Sequence, residues 1–392
     1  MLLLILIYLA FIMIGLPHSI LGSAWPIMYE QFHVSSASAG IISMVISSGT
    51  IFSALYCDKV VKHLGPGKLT LVSMIAIATA LFGFGMSTQF WLLCFWAIFL
   101  GVGLGLIDAL LNNVVALHYQ AKHMSWLHGF WGVGASIGPI IMSYFLVRNS
   151  WEAGYRFIGL IQVIFIAVLL LTLKSWKKVH TSSIDLKQEP SASLTMKQLM
   201  YLPGVKQSLI VFFSYCAIEA TVGLWGASYL VVARGIAEET AALWISLYFL
   251  GITCGRFMAG FLTIKLSHKW MIGLGTSLIA VGVVIILLPV AGYSLLLALF
   301  LIGLGCAPIF PSLIHETPHN FGSTHSQSIV GLQMASAYIG AMFMPPLFGL
   351  IAAGINFRWF PIYISAFLIL MAITTRLLYQ KTAKQLSEAK SL

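Results

Sequence analysis

A carboxylate and an amide stand one helical turn apart inside an apolar stretch: Asp108 and Asn112, within GVGLGLIDALLNNVV at residues 101–115. On a helix these two share a face, while Asn113 points about 100° away. An ionised Asp near the centre of a membrane helix costs roughly 2.5–3.5 kcal/mol on insertion scales, so it must face protein or a water-filled cavity. Glu219 raises the same requirement from within SLIVFFSYCAIEATVGLWG, with Tyr215, Val222 and Gly223 on its helical face. His18 sits in GLPHSILGSAWP, where Gly15, Gly22 and Trp25 recur on its face and Pro17 weakens the adjoining backbone. Groups of this kind at such depth suit uptake and release of a proton. Asp108, Glu219 and His18 are therefore the candidate proton-coupling residues.

Around them the sequence offers groups for a polar solute. Asn112, Asn113 and Gln333 bring hydrogen bonds, and Tyr215, Trp25, Trp225 and Trp131 bring aromatic surface. Trp131 either packs between helices or stacks on a sugar-like ring, and His128 either meets water at a helix end or lines the pathway. Arg256, buried about a turn from a helix end, needs a carboxylate or helix-end carbonyls as its partner. With Asp58 and Lys59 it forms the candidate gating set. No nucleophile–base pair, metal-ligand spacing or phosphate-cradling loop stands out, so the chain is expected not to be an enzyme and to need no cofactor beyond a proton as coupling ion. The glycines lie in apolar helices and follow no strand, which excludes a dinucleotide fingerprint. The five Cys are scattered singly and read as small packing residues.

The elements that hold these residues follow from composition. Of 392 residues, 59% are hydrophobic and 8% charged, against about 25% charged in soluble domains. Apolar runs of roughly 20–28 residues, each long enough to cross a ~30 Å hydrocarbon core, fall near 2–30, 38–57, 69–88, 91–117, 126–147, 155–173, 206–232, 240–263, 270–289, 293–313, 327–352 and 358–378. The expected fold is an all-α membrane protein with twelve transmembrane helices. The first run lacks a basic leader and a small-residue cleavage site, and reads as a span rather than a cleaved signal.

The formal charge is +10, but its placement points to topology rather than to nucleic acid. Residues 59–68, Lys122, residues 174–206, Lys265, Lys269 and residues 376–390 carry most of the basic groups and share one side of a twelve-span chain. Arg148, Arg156, Arg234 and Arg358 lie on the other. The positive-inside rule then places both termini in the cytoplasm of a multi-pass plasma membrane, the inner membrane of a bacterium, with lipid as a partner. Residues 174–203 are polar and rich in Ser, Lys and Pro, a cytoplasmic linker with a short surface helix near 194–201. They divide an N-terminal six-helix bundle, 1–173, from a C-terminal one, 204–380, which is followed by a tail at 381–392.

The two bundles read as repeats. FLGVGLG at 99–105 matches FLIGLG at 300–305, laying Gly103 and Gly105 over Gly303 and Gly305 at an offset of 200; GFWGVGASIG at 129–138 matches GLQMASAYIG at 331–340 at 202. At 201, His18 lies over Glu219, and at 200 Asp108 lies over Pro308. Two parallel six-helix halves bind solute near the midplane between them.

On these residues the chain resembles the major facilitator superfamily over essentially its whole length. Asp58, Lys59, Gly65 and Lys68 carry the signature between the second and third spans, with Ala54 where glycine is usual, and Gly260 to Lys265 resembles a decayed copy that lacks the acid. Gly103, Gly105, Asp108 and Asn112, with the LHGFWGVGASIGP and GLWGASYLVVARGI stretches, are similar to the fucose–galactose–glucose:proton symporter branch. The resemblance implies two pseudo-symmetric six-helix halves and roles in proton coupling and sugar binding for Asp108 and Asn112. The branch's acid in the first span has no counterpart here, since His18 occupies its place. The expected function is proton-coupled symport of a small polar solute, a sugar or sugar-like metabolite, by a monomer. The alternative is proton-driven export of an amphipathic or cationic compound, and a third reading is a membrane enzyme or solute receptor.

Overall fold

A backbone surrounded by hydrocarbon must bond to itself, which leaves a chain of this apolarity little choice but helices. The computed structural model describes residues 2–148, 150–176, 196–263, 265–289 and 292–391, with side chains throughout except at 58, 121, 122, 125, 196, 197, 323, 324, 327 and 384–391. Among the described residues there is no strand, and twelve helices are long and apolar enough to cross a membrane. Spans one to six are Leu2–Gln31, Ser36–Cys57, Pro66–Phe84, Phe90–His118, Trp126–Leu146 and Trp151–Trp176. Spans seven to twelve are Val205–Arg234, Glu238–Leu262, His268–Leu287, Tyr293–Phe321, Ser328–Gly354 and Phe357–Ala383. The expected linker falls largely outside the described residues. Its short helix is present at Met196–Tyr201, and the last helix continues through the expected tail to Ser391.

Proline breaks the first span where the sequence suggested it would. Its helix ends at His18 and resumes at Ile20. Pro17 has no N–H, so the Met13 carbonyl loses its helical donor. Gln162 of span six fills the gap, donating Nε2 to Met13 O at 2.7 Å. Pro139 frees the Ala135 carbonyl of span five in the same way, and Ser19 at the break donates its hydroxyl there at 2.7 Å. Both orphaned carbonyls are thus satisfied from neighbouring spans, as an apolar setting demands.

The packing of the first half recurs in the second. Spans one and five, two and four, three and four, and three and six pack together, as do seven and eleven, eight and ten, nine and ten, and nine and twelve. Glycine contacts fix the register of this repeat. A Cβ on Gly101 would strike Ile46 O, and one on Gly303 would strike Tyr248 O; Gly103 abuts Ser73 and Ile77, and Gly305 abuts Gly275 and Ile279. Each of these pairs is offset by 202, so Gly101 and Gly103, not Gly103 and Gly105, correspond to Gly303 and Gly305. Asp108 is consequently matched by Phe310 and not by Pro308. The 200 offset fails because glycines alternate along this stretch, and a slip of two residues keeps glycine over glycine.

Spans five and eleven correct in the same manner. Gly134 abuts Ile12 O and Gly340 abuts Phe213 O, while Ser143 donates to Glu239 O at 2.6 Å as Gly349 abuts Ala37. These correspondences require 206, one helical turn beyond the 202 read from sequence. Span one over span seven keeps its 201, since Gly22 meets Gly223 directly across the pseudo-two-fold axis.

The halves meet along three lines. Spans five and eight pack along their length, the Ile20–Gln31 segment of span one packs on span seven, and the start of span two packs on span eleven. The last two lines lie at the end opposite the termini, where Gly22 touches Gly223 and Gly40 touches Pro346. Trp225 donates to Pro345 O at 2.7 Å at that same end. At the break in span one, His18 is exposed although it sits mid-span. A cleft between the halves therefore reaches the centre of the molecule.

Candidate functional site

Two polar stations stand at mid-span depth, and the structure keeps them apart. On span four, Asn112 Nδ2 donates both to Asp108 Oδ1 at 3.0 Å and to the Asp108 carbonyl at 2.9 Å. The shared face expected from their spacing is real. Asp108 and Asn112 are half-buried and Asn113 is exposed. Tyr338 of span eleven lies across from Asp108, within electrostatic reach.

The second station bridges the halves. Glu219 of span seven accepts from the Tyr215 hydroxyl one turn away, and its Oε1 lies 3.6 Å from Nη2 of Arg256 on span eight. Tyr248 Oη donates to the Glu219 carbonyl at 3.0 Å. Of the two kinds of partner that the sequence allowed it, Arg256 reaches the carboxylate, and its Nη1 also donates to the His128 carbonyl of span five at 3.4 Å, within that helix and not at its end. The guanidinium lies over the Trp131 indole, 4.9 Å from the ring centroid, a favourable cation–π placement. His18 meets the same indole edge-on at 4.8 Å, and His128 stands edge-on to Phe11 at 5.9 Å. His18, His128 and Trp131 from one half thus gather around an ion pair from the other.

Several expected cavity residues are elsewhere. Trp25 and Trp225 are both fully buried. Trp25 donates to Ser36 O at 2.7 Å and Trp225 to Pro345 O, so each ties its helix to a neighbouring element and neither lines the cleft. Burying an indole requires a partner for its N–H, and a backbone carbonyl, with two lone pairs, can accept that bond. Tyr215 is 2% exposed and serves Glu219 rather than a solute. Gln333 is 1% exposed; its Oε1 accepts from Thr317 at 3.0 Å and its Nε2 donates to Ser208. This amide joins spans seven, ten and eleven within one half. A Gln333→Leu variant is expected to lose about 1–3 kcal/mol of stability, because Ser208 loses its partner in an apolar interior while Thr317 keeps only its bond to the Leu313 carbonyl. Its half-saturation constant for solute should be unchanged, which transport kinetics beside thermal unfolding in detergent would check.

In the expected gating loop, the Asp58 side chain lies outside the described residues. Lys59 is exposed, with its Nζ 5.1 Å from the Tyr56 ring of its own helix. Tyr248 and Gln162 went unnoticed in the sequence. Tyr248 lies two turns from Arg256 on one face of span eight, and Gln162 is the amide of an otherwise apolar stretch of span six; both signals were available. Span five meets span eight through a hydroxyl pair as well, Ser136 and Thr253 at 3.3 Å.

Twelve spans in two repeated halves, a cleft between them and titratable groups on its walls are the architecture of an integral multi-pass membrane protein. The sequence profile of the Major Facilitator Superfamily matches residues 7–231 and 207–391. The chain belongs to that superfamily. It is 23% identical over 390 residues to Bypass of stop codon protein 6 of Saccharomyces cerevisiae, covering 90% of this chain and 77% of that one. To the glucose/mannose transporter GlcP of Bacillus subtilis it is 23% identical over 319 residues, covering 78% and 77% respectively. A crystal structure of a D-xylose–proton symporter superposes with a TM-score of 0.74 at 12% identity, covering 97% of each chain, which shows a common fold.

Proposed function

We propose that the protein is a proton-coupled symporter that carries a small polar solute, a sugar or sugar-like metabolite, by alternating access. The observation that carries the reading is the pair of titratable stations, Asp108–Asn112 on one half and Glu219–Arg256 on the other, facing a cleft that exposes His18 at mid-span. Polar groups of this kind are costly in a membrane protein and mark ion and substrate pathways. A relative named as a glucose/mannose transporter and a fold neighbour named as a D-xylose–proton symporter agree with the solute class, as does the resemblance of span four to the fucose–galactose–glucose branch.

In this reading Asp108 carries the transported proton, and Glu219 and His18 set the charge of the cleft. Asn112, Asn113, Trp131 and His128 line the solute path. Closure at the end opposite the termini leaves the cleft open toward the termini, and rocking about the Gly22–Gly223 contact exchanges the two openings. In this reading that open side faces the cytoplasm of a plasma or bacterial inner membrane, which the distribution of basic residues supports, with 1–173 and 204–380 as the moving bodies, 174–203 as their tether and Asp58 with Lys59 at the gate. The carrier works as a monomer.

The test is proton flux into proteoliposomes loaded with a pH-sensitive dye and challenged with neutral sugars, sugar acids, amino acids and organic cations. Acidification of the lumen with one solute class is the expected result. Protons driven outward would establish export, and binding without proton movement would reduce the protein to a uniporter or receptor.

A further inference from the structure

We propose, building on the transporter reading above, that the solute bears a carboxylate, which the Arg256 guanidinium takes up against Trp131 once a proton on Glu219 releases that guanidinium. Arg256 is loosely paired. Of its five N–H donors, one makes a hydrogen bond among the described residues, to the His128 carbonyl at 3.4 Å. Its carboxylate neighbour stands at 3.6 Å through a single oxygen, while the other oxygen of Glu219 is taken by Tyr215. The strong arrangement for a guanidinium and a carboxylate is bidentate, two parallel N–H···O bonds at about 2.7–2.9 Å. That geometry is open for an incoming anion.

The remaining contacts hold the guanidinium ready without consuming its donors. Cation–π contact with Trp131 uses the flat face of the group and leaves the fork of N–H bonds free. With 16% of the Arg256 side chain and 22% of the Glu219 side chain exposed, both partners remain within reach of the cleft. Arg256 and Trp131 also come from opposite halves, so an anion bound there touches both bodies that must move.

Charge supplies the coupling. While Glu219 is ionised, it competes with any solute carboxylate for Arg256. Once it is protonated, Arg256 becomes a partly desolvated cation without a counter-ion, a state that strongly favours an anion. The other titratable groups around the pair are Tyr215 and Cys216 on span seven, Tyr248 on span eight, Cys306 on span ten, and His18 and His128 facing Arg256 from the first half. None of them is a carboxylate, so Glu219 is the group among them that competes with a solute carboxylate for Arg256. A neutral sugar offers hydroxyls that would leave Arg256 without a counter-ion, whereas a sugar acid brings the charge the site lacks.

Matched solutes test this in proteoliposomes of the full chain: D-glucose with D-glucuronate, and D-galactose with D-galacturonate, measured by counterflow and by binding in detergent at several pH values. The acid of each pair is expected to bind at least tenfold more tightly, and more tightly as pH falls. Arg256→Gln should erase the preference, Arg256→Lys should keep part of it while losing at least tenfold in affinity, and Glu219→Gln should bind the acid tightly at every pH. Thermal unfolding of each variant separates a lost site from a lost fold, and retention of the preference in folded Arg256→Gln would overturn the proposal. Proton-coupled uptake of the neutral sugars with no preference for the acids would also overturn it and leave the symport reading intact. Preference for the acids without proton movement would keep the proposal and remove the symport reading.

Discussion

Asp108→Asn is expected to abolish proton-driven accumulation of solute, lowering it by at least about 100-fold, while solute counterflow between equilibrated compartments continues. The reason lies in what the substitution preserves. An amide keeps an oxygen to accept from Asn112, which donates to Asp108 Oδ1 at 3.0 Å, so the local geometry survives and only the titrating proton is lost. Removing a positioned proton carrier typically costs 10²–10⁴ in rate. Parallel assays of driven uptake and counterflow on reconstituted protein give the answer. Accumulation equal to that of the wild type would make Asp108 a structural residue and move the coupling role to Glu219. Loss of both activities would indicate that the Asp108–Asn112 pair supports the fold.

The second large effect concerns folding. Gly134→Leu should prevent stable assembly of the first half. A Cβ at Gly134 would strike the Ile12 carbonyl and lie 3.0 Å from the Gly15 Cα, and the reciprocal atom at Gly15 would strike Trp131 O. Spans one and five therefore cross glycine on glycine, with backbone against backbone and no side chain able to move aside. Overpacking at a site of this kind costs about 3 kcal/mol or more. It would also displace Trp131 from His18 and Arg256. Gly260→Leu is the control, because that position in span eight opens onto empty space. Monodisperse yield and thermal unfolding in detergent should fall steeply for Gly134→Leu and stay level for Gly260→Leu. Equal behaviour of the two would show that the glycine crossing is dispensable.

Much of this architecture was legible from composition and spacing. Apolar run lengths gave the twelve spans to within about five residues at every end but one, span ten reaching Phe321 where 313 was expected, since hydrocarbon thickness dictates helix length whatever the neighbours are. The cost of a charge in lipid singled out Asp108, Glu219, His18 and Arg256, and each of them is found at a polar contact in the protein interior or at the cleft. The turn between Asp108 and Asn112 is a property of one helix, so their pairing could be foreseen.

What resisted was everything that depends on which helix lies opposite. Trp25, Trp225 and Gln333 have the chemistry of a binding site, and their burial against Ser36, Pro345, Thr317 and Ser208 follows from neighbours that sequence spacing does not specify. The repeat register slipped by two residues in span four and by a full turn in span five. Gly-rich helices look alike after such shifts, and only contact with Ile46, Tyr248, Ile12 and Phe213 distinguishes one glycine from the next. By itself the sequence determined that this chain crosses a membrane twelve times in two related halves and carries ionisable groups at mid-depth, because the bilayer acts on each helix separately. Only the tertiary structure decided that Glu219 pairs with Arg256, that Trp131 and His18 reach that pair from the other half, and that Asp108 stands apart. Those contacts join helices distant in the chain, and their geometry is set by close packing across the seam.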